Sequence, residues 1–226
     1  MHNTQLNESI LKIARGVYKF QKDVYHEKKQ LFKALAKDQY PKILFITCSD
    51  SRIDPALITQ TEPGDMFLIH NAGNIVPPHG AAYGGTGASI EYAVSVLNVE
   101  HIIVCGHSSC GAMSALLNID SLETLPAVKH WLSFAEATRA ILQANFKGHN
   151  EVERLDSCVK MNIPVQLGHL KTLPSVASRL IQGEIAIHGW LYHIETGKID
   201  VYQALDNTFV SFEEAYPIHL VEALSD

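Results

Sequence analysis

Three apolar runs of strand length, KILFITCS, DMFLIHNAG and EHIIVCGH, constrain the fold of this chain most. Each is apolar at nearly every position instead of alternating. A strand reads that way when both of its faces are covered, as in a parallel sheet flanked by helices. Between and after the runs lie GTGASIEYAVSVLNV and SCGAMSALLN, which have helical spacing. This alternation predicts an α/β fold with a mostly parallel central sheet and helices on its faces. GEIAIHGWLYHIETGKIDVYQAL reads as two further strands joined at Glu195, Thr196 and Gly197. Residues 120–183 read as helical, with Pro126, Pro164 and Pro174 as breaks.

Ahead of the first strand, Ile10, Leu11, Ile13, Val17, Tyr18 and Phe20, then Leu31, Phe32 and Leu35, recur at helical spacing among charges. This predicts an N-terminal helical arm, which packs either on a partner subunit or on the back of its own domain. The expected organisation is one domain over residues 1–226: arm 1–40, α/β core 41–205 and C-terminal segment 206–226.

Charged residues are only 19% of the chain and the formal net charge is -6, so nucleic acid is not an expected partner. No apolar run reaches membrane-spanning length, and MHNTQLNESILKIARG lacks the apolar core of a secretory signal. The expected compartment is the cytoplasm, where thiols stay reduced. The four cysteines are then metal ligands or buried thiols rather than disulfides.

Two polar turns follow apolar strands: CSDSR after ILFIT, and GHSSCGA after IIVC. His107 and Cys110 are three positions apart and share one side of a tight turn or starting helix. In a parallel sheet the ends of two strands can lie side by side, and ligands collect just past them. Cys48 would then meet His107 and Cys110. One imidazole and two thiolates make a tetrahedral zinc site with an open fourth position, although cobalt or cadmium also suits such donors. Cys105 and Cys158 have no partner by spacing and read as buried core thiols.

These two turns, with NAGNIVPPHGAAYGGTGASIEYAV and HGWLYHIETG, resemble the signature of the β-class carbonic anhydrases. The resemblance runs from about Leu31 to Leu205. It implies reversible hydration of carbon dioxide to bicarbonate and a proton, by attack of zinc-bound hydroxide, with one Zn2+ per chain. Two thiolates make a bound water less acidic than three neutral imidazoles would, so a compensating pair is needed. The resemblance assigns Asp50 to accept a hydrogen bond from that water and Arg52 to hold Asp50 in a two-pronged grip. It also allows a closed form, in which Asp50 becomes the fourth zinc ligand once Arg52 lets go. Gln39, Phe67, Ala72, Tyr92 and Gly111 match its substrate pocket, which the family shares across a homodimer or higher even-numbered oligomer. One subgroup binds inhibitory bicarbonate through a tryptophan, an arginine and a tyrosine. Here those positions are Phe45, His70 and Tyr192, which points to the plant-like, open subtype.

Weaker signals remain. GAAYGGTGAS lacks the lysine of a phosphate loop and reads as close packing at a helix entry. His79 in PPHG is a candidate proton shuttle, while His188 and His193 read as structural. Hydrolysis of carbon disulfide or carbonyl sulfide, or a non-catalytic zinc scaffold, are the competing functions.

Overall fold

A computed structural model of the chain describes residues 7–222 apart from 82, 83, 147 and 149. Two compact units are present, one up to Gln39 and one from Tyr40 onward. Residues 1–6 of the expected arm and 223–226 of the expected C-terminal segment lie outside the described residues, as do Ala82 and Tyr83 of the glycine-rich stretch.

The first unit is helical. Its main helix, α1 (Glu8–Lys19), starts where the Asn7 side chain accepts from Ser9 N–H. A π-turn (Phe20–Val24) and the short α2 (Tyr25–Glu27) and α3 (Lys29–Leu35) follow. Phe32 stacks on Tyr25 at 5.4 Å and meets Phe20 edge-on at 5.7 Å. Ile10, Ile13 and Val17 form an exposed apolar stripe on α1.

The second unit is built on six strands: β1 (Ile43–Cys48), β2 (Met66–Asn71), β3 (His101–His107), β4 (Ala186–Tyr192), β5 (Ile199–Gln203) and β6 (Thr208–Ser211). Their order is β2-β1-β3-β4-β5-β6. The first four are parallel, and β5 and β6 turn back antiparallel. The sheet therefore runs on past residue 205 through β6, a short strand whose half-exposed side chains give little apolar signal. Nine helices of this unit are described. α4 (Pro55–Thr59), α5 (Gly85–Ser95) and α6 (Gly111–Leu117) follow the first three strands. α7 (Pro126–Leu132), α8 (Glu136–Asn145), α9 (Glu151–Thr172) and α10 (Pro174–Ile181) come before β4, and α11 (Phe212–Ala215) and α12 (Ile218–Glu222) end the unit.

Pro126 and Pro174 open α7 and α10 at the position where a missing N–H costs nothing. Pro164 does not break its helix. It lies inside the 22-residue α9, which starts with a reciprocal cap between Asn150 and Glu153. Burial against β3 and β4 outweighs the lost backbone hydrogen bond: Cys158, Val159, Ile163, Leu167 and Leu170 all face the core. At Gly189 in β4 the helix comes so close that a Cβ would sit 2.6 Å from Ile163 Cγ2.

The larger core joins Leu44, Ile46, Ile102 and Val104 of the sheet to α9, α6 and α5. On the other face, Phe45, Ile103 and Cys105 form a smaller cluster with Trp190 and Tyr192. Trp190 meets Phe212 of α11 edge-on at 5.5 Å.

Candidate metal centre

Because β1 and β3 are parallel neighbours, with Thr47 opposite Cys105, their carboxyl ends lie side by side. Cys48 ends β1, His107 ends β3, and Cys110 stands at the entry of α6. Their donor atoms all lie within 4.8 Å of one another, and all three residues are buried.

The donors fit zinc. Two sulfurs at about 2.3 Å from one tetrahedral ion stand roughly 3.8 Å apart. The Cys48 and Cys110 sulfurs are 3.9 Å apart, and both cysteines are free thiols. His107 Nδ1 donates to the Ser108 carbonyl at 2.9 Å, since a carbonyl can only accept. That leaves Nε2 with its lone pair toward the sulfurs. This atom is buried without a hydrogen-bond partner, a costly state unless another electrophile meets it.

Local charge prepares the thiols. Donation from Cys110, and from the Gly73 N–H (3.3 Å), holds the Cys48 thiolate well below the ordinary thiol range. The same thiolate, together with burial, pushes Cys110 up. Without a cation between them the two sulfurs keep one proton, and a divalent ion removes the reason. Cys105 and Cys158 behave differently: burial pushes each thiol up to about 12. Both are inert core groups, as the sequence predicts.

Asp50 and Arg52 stand beside this cluster. Arg52 Nε and Nη2 donate to the two carboxylate oxygens of Asp50 at 2.9 and 2.8 Å. The guanidinium holds the Asp50 carboxyl well below the usual carboxylate range. Arg52 Nη2 also donates to the Ser109 carbonyl at 3.1 Å, in the turn between His107 and Cys110. Asp50 Oδ2 lies 3.9 Å from His107 Nε2.

The pocket residues named from sequence are placed as follows. Phe67 and Tyr92 meet with ring centroids 6.1 Å apart. Ala72 accepts from Trp131 Nε1 at 2.8 Å and precedes Gly73, the backbone donor to Cys48. Gly111 follows Cys110 and opens α6. Gln39 is an exposed residue at the end of the first unit. His79 is tied through its backbone N–H to Thr172 Oγ1 at 2.9 Å, and no contact to the three ligands is found for it among the described residues. His70 Nδ1 stands 3.3 Å from the Cys48 carbonyl.

Several supporting groups leave no trace in residue type. Gly73, at φ +82°, acts through its N–H, and Ser108 and Ser109 act through carbonyls that any residue carries. Trp131 and Glu195, which accepts from Ser108 Oγ at 2.7 Å, come from distant segments.

A family model described as carbonic anhydrase matches residues 43–199. A carbonic anhydrase of Pseudomonas aeruginosa is 52% identical over 202 residues, covering 89% of this chain and 91% of that protein. The solved β-carbonic anhydrase CcaA superposes with a TM-score of 0.89 at 46% identity, covering 91% of this chain and 92% of that one. One of two tetrameric β-carbonic anhydrases of Sordaria macrospora superposes with a TM-score of 0.76 at 29% identity, over 86% of this chain and 97% of that one. By its paired ligand turns, its sheet order and these likenesses, the chain belongs to the β-class carbonic anhydrases and is an enzyme of reversible carbon dioxide hydration.

Proposed function

We propose that Cys48, His107 and Cys110 hold one zinc ion per chain and that Asp50 and Arg52 are the catalytic pair beside it. The observation that carries this reading is the buried, partnerless His107 Nε2 facing two sulfurs. When bound, the ion supplies a Lewis acid that can bring the pKa of a water from about 15.7 to about 7.

The remaining chemistry belongs to the chain's own side chains. Asp50, gripped by Arg52, stays ionised near neutrality and can only accept a hydrogen bond. It would accept a hydrogen bond from a water or hydroxide beside the three donors and would give it no proton. Arg52 engages both carboxylate oxygens, which supports the open form. Closure by Asp50 requires that both Arg52 hydrogen bonds be given up. Phe67, Tyr92 and Ala72 are the proposed apolar walls for carbon dioxide, and the Gly111 backbone is the proposed neighbour of the bicarbonate.

The test is metal content paired with carbon dioxide hydration for wild type and Cys110→Ser. We expect about one zinc per wild-type chain, and loss of both metal and activity in the variant, because a hydroxyl is a poor substitute for a thiolate. A variant that retains full activity with no metal overturns the reading.

The plant-like subtype belongs to the same proposal. Phe45 is fully buried against Trp190 at 5.9 Å and offers no N–H to an anion. His70 lacks the two-pronged guanidinium with which an arginine grips an anion. Bicarbonate dehydration is therefore expected to follow a simple hyperbola, and sigmoidal rates against bicarbonate contradict this.

An even-numbered homo-oligomer is supported by the exposed apolar stripe of α1 and by the tetrameric relatives. Among the described residues no helix is long and apolar enough to cross a membrane. Cytoplasmic residence is supported by the need to keep both ligand thiols reduced.

A further inference from the structure

A second pair of metal-ligating side chains lies at the other end of the parallel strands. His101 opens β3 opposite Ala186, and His188 in β4 lies opposite Ile103. The two side chains are diagonal neighbours on one face of the sheet. His101 Nδ1 and His188 Nε2 are 3.1 Å apart, and the ring centroids are 5.2 Å apart. His101 is exposed and His188 half-buried, so solvent reaches the pair. His107 ends the seven-residue strand that His101 begins. At roughly 3.3 Å per residue, the pair lies about 20 Å from the catalytic centre.

We propose that His101 and His188 form a second, separate metal site, which takes a divalent ion of the nickel–copper–zinc series through His101 Nδ1 and His188 Nε2, with solvent completing the coordination.

The spacing suits a shared ion. Two donors at about 2.05 Å from one metal stand roughly 2.9 Å apart at a right angle and roughly 3.3 Å apart at the tetrahedral angle. The observed 3.1 Å falls between them. Without an ion, the contact is an imidazole–imidazole hydrogen bond in which one near nitrogen carries the proton. Moving that proton to the far nitrogen of the same ring exposes both near lone pairs and leaves the charge unchanged. The far nitrogens, His101 Nε2 and His188 Nδ1, make no hydrogen bond among the described residues, so either can carry a proton. Burial, then the neighbouring His101, lowers the His188 pKa and keeps the ring in its neutral, ligating form. Glu100, next to His101 and paired with Lys42, places a carboxylate near the entering charge. Imidazole pairs favour copper over zinc and nickel.

The test is titration of the zinc-loaded protein with Cu2+, followed by electron paramagnetic resonance, copper and zinc analysis and the visible spectrum. We expect one added copper per chain with hyperfine structure from two imidazole nitrogens, unchanged zinc and no thiolate-to-copper band. His101→Asn and His188→Gln should each weaken copper binding by about a hundredfold, since a single imidazole loses the gain of two linked donors. His101 is exposed, so His101→Asn tests the site even if the His188 variant folds poorly. Carbon dioxide hydration by each variant reports its fold. Copper binding of equal strength in His101→Asn, no copper uptake, or uptake only with equal loss of zinc each overturns the proposal.

Discussion

Arg52 determines the chemistry of Asp50 through two short hydrogen bonds. The carboxyl pKa lies below its unfolded value of about 3.9, so the ionised form is the one the fold favours. The resulting stability is fully present above about pH 4 and is lost as pH falls through the lower folded pKa. Asp50→Asn is therefore expected to change the melting temperature by a constant amount from about pH 8 to about pH 5, with the gap closing in stronger acid. Calorimetry across that range checks it. A gap that disappears between neutral pH and about pH 6 would mean that Asp50 titrates there, against its hold by Arg52. At this scale, sequence spoke clearly for side chains with distinctive chemistry. Cys48, His107 and Cys110 could be named as a candidate metal cluster because few residue types ligate metals, and two turns carried them after matching strands. The donor from Gly73 and the acceptors from Ser108 and Ser109 could not, because backbone atoms are common to all residues.

The strands were legible because burial on both faces makes β1 and β3 apolar at most positions, and their polar turns mark where the burial ends. Pro164 misled for a local reason: its cost is fixed, while the gain from packing α9 on the sheet depends on segments far away in sequence. The closeness of that packing gives a prediction. Gly189→Ala puts a methyl 2.6 Å from Ile163 Cγ2 and 3.1 Å from Leu167 Cδ1. Both neighbours belong to a fully packed helix face, so the change is expected to cost about 1–3 kcal/mol. Denaturant titration reads this as a lower midpoint at unchanged slope. If Ile163 caused the loss, the double variant Gly189→Ala with Ile163→Val should recover part of it.

At the scale of the molecule, the large core spans the sheet and its helices, and the candidate ligands Cys48 and Cys110 are only two of its many members. Chelation is therefore expected to leave the chain folded by circular dichroism while lowering the melting temperature. The loss is about 4 kcal/mol if free zinc had stood a thousandfold above its dissociation constant. Stripped protein that unfolds outright contradicts this view. Arg52 adds a further reason for expecting survival. By reaching Asp50 on one turn and the Ser109 carbonyl on the other, it ties together the two segments that supply the ligands. On that view an emptied centre would keep its outline, and recharging the enzyme would amount to filling a mould already cast.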